Sequence, residues 1–175
     1  MAKLTIITAP DPRLKIRARP VDFVDDKVRR LMDDMLETMH GALGIGLAAP
    51  QIGVASRVIV LDVARDGEKP QPLKLANPEI IWRSDELTTG NEGCLSLPEH
   101  YAEVTRPAAI RLRYIDYQNE IREMEASGLL AMCLQHEIDH LDGILFVDHI
   151  SSLKRSMILR KLAKAKRSRV PATAA

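Results

Sequence analysis

The segment over residues 128–143 most constrains how this chain can fold. It reads GLLAMCLQHEIDHLDG, an apolar stretch in which His136 and His140 lie four residues apart with Glu137 between them. In a helix, residues four apart lie on one face, one turn from each other. Two imidazoles so placed can hold one metal ion, and the adjacent carboxylate can reach a water on that ion. The segment therefore predicts a metal-binding helix at the centre of the fold.

A catalytic metal site needs a third protein ligand and an open position for water. Cys133 lies one turn before His136 on the same helical face, and Cys94 lies far upstream in the segment NEGCLSLP. After Gly143 only Asp148 is acidic, and the HxxGxxH extension of one protease branch is absent. The third ligand is therefore expected to be a cysteine. Spacing alone does not choose between the two.

Apolar periodicity and capping residues predict the helices. One helix is expected from Asp25 or Asp26 to about His40, because apolar residues recur there at three- and four-residue steps. The metal-binding helix is expected from about residue 127 to residue 143. A third helix is expected to begin after residue 151 or 152 and to carry a basic tail.

Segments rich in β-branched or alternating residues predict the strands. These cover residues 57–63, 73–82 and 108–126, the last with a hairpin turn at Gln118 and Asn119. The order of the elements predicts an α+β fold, with antiparallel β-sheets packed around a central metal-binding helix, an N-terminal helix and a C-terminal helix. We assign residues 1–150 to a catalytic domain and residues 151–175 to a basic helical extension of it, whose last residues, VPATAA, suggest a frayed end.

Composition narrows the class of protein. A length of 175 residues suits one domain, and the aromatic fraction of 3% means that aliphatic side chains and methionine must build the core. The sequence contains no apolar run long enough to cross a bilayer, and its N-terminus does not resemble a secretory signal. We therefore expect a cytoplasmic protein in which both cysteines are thiols or metal ligands.

The charge is distributed unevenly along the chain. Eight of the 25 basic residues follow Asp148, where no acidic residue occurs, so the preceding part carries 17 basic against 24 acidic residues. The eight basic residues of the tail are Lys154, Arg155, Arg160, Lys161, Lys164, Lys166, Arg167 and Arg169. Such a tail either meets an anionic partner or is a solvated helix, and charge alone favours the second interpretation.

A segment of small residues, GIGLAAPQ over residues 44–51, allows a backbone to approach a ligand closely. It is not a phosphate-binding loop, because no Lys-Ser or Lys-Thr pair follows it. Gln51, the last residue of this segment, carries a side-chain amide that can cap a turn or donate a hydrogen bond in a binding site.

Three segments together resemble the peptide deformylase family. GIGLAAPQ, EGCLS over residues 92–96 and HEIDH over residues 136–140 match its three motifs in order and rough spacing, and the likeness extends to about Asp148. The resemblance implies a hydrolase that removes the formyl group from the N-terminal formyl-methionine of new polypeptides. A formylated start residue points to bacteria or organelles, and the lack of a leader favours a bacterial protein. It also implies one divalent metal held by Cys94, His136 and His140, most often Fe²⁺, with Zn²⁺, Ni²⁺ or Co²⁺ able to substitute.

The same resemblance implies roles for the remaining site residues. Glu137 would act as the general base, and the Gln51 amide and the Leu95 backbone N–H would stabilise the oxyanion. The backbone at Ile45 and Gly46 would bind the peptide as an added strand. The metal-binding helix itself suggests an apolar methionine pocket, because three residues share the face of His136: Leu129, Met132 and Cys133.

The chain departs from the family pattern at Tyr101, where many members carry an arginine. Arg106, a few positions later, is expected to be structural and to pair with a carboxylate such as Glu92. The resemblance also gives the basic tail a partner, the ribosome, to whose phosphates it would bind.

Two other functions compete with this interpretation. One is another HExxH metallohydrolase, such as a peptidase or amidase. The other is a non-enzymatic ribosome- or RNA-binding protein stabilised by a structural metal. Structural zinc sites normally have four protein ligands, whereas the sequence offers three beside a glutamate suited to catalysis.

Overall fold

Two antiparallel sheets and three α-helices make up the fold in a computed structural model that describes residues 2–169. The helices are α1 (Asp26–Gly41), α2 (Gly128–Leu141) and α3 (Ser152–Arg169). The strands are β1 (Gly46–Ala48), β2 (Val58–Leu61), β3 (Leu73–Arg83), β4 (Leu87–Cys94), β5 (Leu97–Pro107), β6 (Ala109–Ile115) and β7 (Ile121–Ser127). Short 3₁₀ helices cover Pro12–Lys15, Ala49–Ile52 and Phe146–His149. The predicted α+β class is confirmed.

The larger sheet has five strands in the order β1-β2-β3-β6-β7, and β4 and β5 form a separate two-stranded hairpin. The β6–β7 pair shows how sequence alternation produces a two-faced sheet. Ile110 and Leu112 are fully buried, whereas Arg111 and Arg113 point outward. Each outward arginine forms an ion pair with the glutamate opposite it on β7, at 2.6 Å for Arg111 and 3.0 Å for Arg113.

Strand β2 is buried on both faces, which explains its run of consecutive apolar residues. Ile59 and Leu61 pack towards α2, together with Leu75, Ile110 and Leu112 of the neighbouring strands. Val58 and Val60 pack towards α1, whose Met32, Met35 and Met39 are fully buried. The β1–β3 side of the sheet therefore lies between α1 and α2.

Helix α2 lies at the centre of the fold. Nine of its residues are buried, and the apolar ones pack against the large sheet. A second apolar cluster joins the β4–β5 hairpin, the Phe146–His149 turn and α3, through Leu97, Val104, Phe146 and Leu162. Because most of α2 is buried, its two histidines and Glu137 cannot be solvated by bulk water and must find polar partners inside the protein.

Most of the predicted elements are confirmed within a few residues. The Asp25 carboxylate caps α1 by accepting a hydrogen bond from the Val28 N–H at 2.8 Å, and Asn119 lies in the turn of the β6–β7 hairpin with φ of 64°. The β4–β5 hairpin was not predicted, because most of its side chains are polar or exposed and give no regular apolar alternation.

Helix α3 is present as predicted, and within residues 2–169 no helix is long and apolar enough to cross a membrane. Its buried Leu162 belongs to the apolar cluster at the hairpin. The division of the chain at residue 150 stays a prediction. The segment VPATAA lies outside the described residues.

Gly143 ends the turn after α2 with φ of 73°, and a Cβ atom there would collide with the backbone carbonyl of Lys15. We expect Gly143→Ala to lower the free energy of unfolding. The loss should be roughly 1–3 kcal/mol larger than at a control glycine that has the same left-handed backbone but no close neighbour. Gly67→Ala is that control, since Gly67 has φ of 86° and a Cβ atom added there would meet nothing within 4 Å. Urea unfolding of the metal-loaded proteins measures both. Equal losses would show that the approach of Lys15 does not matter.

Candidate metal centre and active site

Three potential metal ligands meet where the end of β4 lies beside α2. One ligand atom from each of Cys94, His136 and His140 lies within 4.8 Å of the others, and Cys94 Sγ is 3.3 Å from His140 Nε2. Cys94 ends β4 at a register shift, which turns it towards the helix. Cys133 lies elsewhere, with its Sγ 3.7 Å from the Ile45 carbonyl oxygen. The geometry thus groups Cys94, and not Cys133, with the histidines.

The three residues fit a divalent cation. His136 uses Nδ1 to contact Glu92 Oε1 at 2.9 Å, which leaves its other ring nitrogen for a metal. Burial and the nearby His136 lower the pKa of His140 and favour the neutral imidazole that a metal requires. Burial alone would lower the pKa of His136, but its contacts with Cys94 and Glu92 raise it well above the usual value. The site therefore favours a positive charge beside Cys94 and Glu92.

A buried ion-pair network holds the histidine side of this site. Arg106 donates to both carboxylate oxygens of Glu92, at 2.7 and 2.9 Å, and to Asp139 at 2.8 Å. The predicted pairing of Arg106 with Glu92 is confirmed. Burial would raise the pKa of Glu92, but the hydrogen bonds from Arg106 and His136 outweigh it and lower this pKa to about 2. Glu92 is thus a stable carboxylate that orients His136.

Glu137 is suited to proton transfer. Its Oε2 is buried and has no hydrogen-bond partner among residues 2–169. Its carboxylate lies against Gly46, where a Cβ atom would collide with it. Burial raises the pKa of Glu137 from 4.5 to about 7. A carboxylate with this pKa can both accept and return a proton near neutral pH.

Gln51 caps a turn, and its amide nitrogen lies beside Cys94. Its Oε1 accepts a hydrogen bond from the Ala48 N–H at 2.8 Å and closes the turn after β1. Its Nε2 donates to Ser96 Oγ at 3.0 Å and lies 3.5 Å from Cys94 Sγ. The turn therefore places an amide donor beside the clustered ligand Cys94.

A cleft of about 440 Å³ opens beside these residues. Of the residues predicted from the sequence, the structure places all but His140 along its wall: Ile45, Gly46, Gln51, Cys94, Leu95, Leu129, Met132, Cys133, His136 and Glu137. Met132 lies against Gly90 of β4, so the apolar pocket is closed by the hairpin. Burial raises the pKa of Cys133, so its thiol stays protonated and contributes an apolar surface to the wall of the cleft.

The β4–β5 hairpin contributes a wall of the cleft that was not predicted from the sequence. Asn91, Pro98 and His100 line the cleft, and so does Tyr101, whose ring lies on the backbone of Gly93. Tyr101 lies on Gly93 because the two residues are paired across the hairpin. The sequence did not give the register of this hairpin, so the contact could not be predicted.

Comparison with known proteins identifies the family. The family model described as polypeptide deformylase matches residues 3–156. This chain belongs to the peptide deformylase family. Family membership makes it a metal-dependent hydrolase and disfavours the peptidase and the non-enzymatic alternatives.

Relatives and solved structures agree with this assignment. A peptide deformylase of Phenylobacterium zucineum is 57% identical over 94% of this chain and 97% of its own length. One of Methylocella silvestris is 61% identical over 91% of this chain and 83% of its own length. The crystal structure of an Ehrlichia chaffeensis peptide deformylase with actinonin superposes with a TM-score of 0.91, at 42% identity over 95% of this chain and 99% of that chain.

Arg106 is expected to be required for stability and for the metal site. In Arg106→Met the buried Glu92 would lose its cationic partner, which should cost about 3–5 kcal/mol in free energy of unfolding. His136 would then no longer be held in one orientation by Glu92, which should weaken metal affinity by about 10- to 100-fold. Urea unfolding and metal titration measure the two effects. Arg111→Met is the control, because it breaks only an exposed pair worth about 0–1 kcal/mol. Similar losses in both variants would exclude the structural role.

Proposed function

We propose that this chain hydrolyses the formyl amide of N-formyl-methionyl polypeptides and releases formate, using one divalent metal ion held by Cys94, His136 and His140. The observation that carries the proposal is the position of Glu137 at the wall of an open cleft, beside a thiol and two imidazoles. Its buried Oε2 has no hydrogen-bond partner in the part of the chain that the structure describes. Three protein ligands leave a coordination position free for water, as catalytic sites require.

We assign the ion as Fe²⁺ because the resemblance to the peptide deformylase family implies it. One sulfur and two nitrogen ligands also suit Zn²⁺, Ni²⁺ and Co²⁺ as substitutes. When bound, such an ion makes hydroxide available near neutral pH and polarises a carbonyl oxygen. Glu92 and Arg106 support this chemistry from behind His136 by keeping its ring in one orientation.

Glu137 would move the proton. Its pKa of about 7 allows it to take a proton from the attacking water and to pass this proton to the departing amine nitrogen. The C–N bond of the formyl amide then breaks, and formate and a free methionine amine result. Gly46 contributes by being small, because a side chain there would displace the Glu137 carboxylate.

Two donors would stabilise the negative charge on the formyl oxygen. The Gln51 side-chain amide is held by its own turn through the Ala48 N–H, so little reorganisation is needed on binding. The Leu95 backbone N–H lies in the tight turn between β4 and β5, directly after Cys94. Removal of one donor of this kind typically costs about 100- to 1000-fold in rate.

The cleft would bind the substrate through its backbone and its first side chain. β1 is an edge strand, and the Ile45 carbonyl before it already accepts the Asp62 N–H at 2.9 Å. The polar groups of the next residue, Gly46, then face the cleft, where a peptide can add as a strand. Leu129, Met132 and Cys133 provide an apolar pocket for an unbranched thioether side chain.

We further propose that the protein acts in the bacterial cytoplasm and binds the ribosome through α3. Arg160, Lys164 and Arg167 recur at three- and four-residue steps on one face of this helix, and all three are exposed. They form no ion pair with another residue in the described part of the chain. Residues 170–175, which we also assigned to the basic extension, lie outside that part.

The direct test of the proposed activity is formate release from a formyl-methionyl tripeptide. Protein purified without oxygen and loaded with Fe²⁺ or Ni²⁺ should release formate rapidly, and the acetylated analogue should not react. Glu137→Gln should retain the metal but lose about 100- to 10,000-fold in kcat, because proton transfer fails. Wild-type protein that binds metal and releases no formate would refute the function, and a fully active Glu137→Gln variant would refute the role of the residue.

Ribosome binding is tested by co-sedimentation of the full chain with bacterial ribosomes. Arg160→Ala/Lys164→Ala/Arg167→Ala should bind more weakly and show a shallower salt dependence, since each lost phosphate contact removes about one unit of slope. Arg111→Ala/Arg113→Ala on the outer face of the sheet is the control for loss of charge. Equal sedimentation of all three proteins would exclude α3 as the docking surface.

A further inference from the structure

A second depression lies beside the active-site cleft, between the β4–β5 hairpin and α3. This feature, here called the hairpin–helix groove, has a volume of about 650 Å³. Ala102, Ile150 and Ile158 are apolar residues along it, and Ala102 and Ile158 also pack on the apolar cluster beneath. The groove therefore has a firm, partly apolar floor.

The groove is continuous with the active-site cleft. Asn91 and Tyr101 line both depressions, so the two share a rim. Tyr101 is 66% exposed, and its ring lies on Gly93 of the paired strand. A polypeptide whose N-terminus is at the metal site must leave the cleft over one of its rims. The rim at Asn91 and Tyr101 leads directly into the groove.

Helix α3 provides the opposite wall and its charge. Lys154, Met157, Ile158 and Lys161 line the groove at positions spaced by three and four residues, which is one helical face. Both lysines are exposed, and neither forms an ion pair with a residue in the range 2–169. The one carboxylate along the groove is Glu103 on β5. The lining thus has an excess of positive charge beside an exposed thioether.

We infer that the hairpin–helix groove binds the downstream part of the polypeptide substrate and favours acidic residues there. The inference rests on the proposed deformylase function, because it places the formylated end of the same chain at the metal site. An extended segment would lie along β5, with apolar side chains on Met157 and Ile158 and carboxylates beside Lys154 and Lys161. Arg160 and Arg167, seven residues apart on α3, lie on a different face from these two lysines.

The test compares formyl-methionyl peptides that share the first three residues. A tripeptide ends in the cleft, whereas a nonapeptide adds about six residues, or roughly 20 Å of extended chain. The added residues are glutamates, glutamines or lysines interspersed with serine. At low salt we expect kcat/KM for the acidic nonapeptide to exceed that for the basic one by about three- to tenfold, as two exposed ion pairs provide. Added salt should reduce the difference.

Variants locate the preference in the groove. Lys154→Ala/Lys161→Ala should abolish it, and Lys154→Glu/Lys161→Glu should reverse it, while hydrolysis of the tripeptide stays at the wild-type rate. Arg160→Ala/Arg167→Ala removes the same charge from another face of α3 and should retain the preference. Equal kcat/KM for the three nonapeptides, or a preference that survives charge reversal at Lys154 and Lys161, would overturn the inference.

A binding measurement separates this inference from the proposed activity. Nonapeptides with a fluorophore at the C-terminus report binding by anisotropy, whether or not formate is released. Charge-dependent binding that is lost in Lys154→Ala/Lys161→Ala supports the groove even if the tripeptide is not hydrolysed, a result that would refute only the proposed function. Formate release without charge-dependent binding would support the function and refute the groove.

Discussion

The structure depends on how the polar residues of α2 are stabilised inside an apolar core. An isolated buried charge costs several kcal/mol, so these residues must be paired or bind a metal. Glu92 and Arg106 provide the pairing from the β4–β5 hairpin, and Arg106 also reaches Asp139 on the helix. This network joins the hairpin to α2 and orients His136. Glu137 lies outside this network, and its Oε2 has no hydrogen-bond partner among residues 2–169.

The packing of the β4–β5 hairpin against α2 also determines the shape of the site. Because β4 runs alongside α2, its last residue, Cys94, lies at the histidines, and Leu95 in the following turn lines the cleft. On the other side, β1 can approach Glu137 only because residue 46 is a glycine. Stability and catalysis therefore depend on the same close packing of hairpin, helix and edge strand, which leaves little freedom for substitution at any of the three.

Helix α3 divides its surface between two environments. Leu162 anchors it on the apolar cluster at the hairpin, while its other faces are basic and exposed. Anchoring by only a few apolar residues is sufficient because the hairpin and the Phe146–His149 turn already form a surface for it. The arrangement places Lys154 and Lys161 along the hairpin–helix groove, where we propose that the substrate leaves the cleft, and exposes other basic residues on α3.

Local spacing in the sequence determined the metal-binding helix, the two histidine ligands with their glutamate, the helix cap at Asp25 and the strand alternation of β6 and β7. These features depend on residues within one helical turn or on one face of one strand, whose contacts follow from helix and strand geometry. The resemblance to a known family pointed to Cys94, but spacing alone could not choose it over Cys133. Only the tertiary structure showed that the β4–β5 hairpin packs against α2 and that Tyr101 and the hairpin–helix groove lie next to it. That placement depends on strand register and on buried pairs between residues far apart in sequence, such as Glu92 with Arg106, and no local periodicity encodes such pairs.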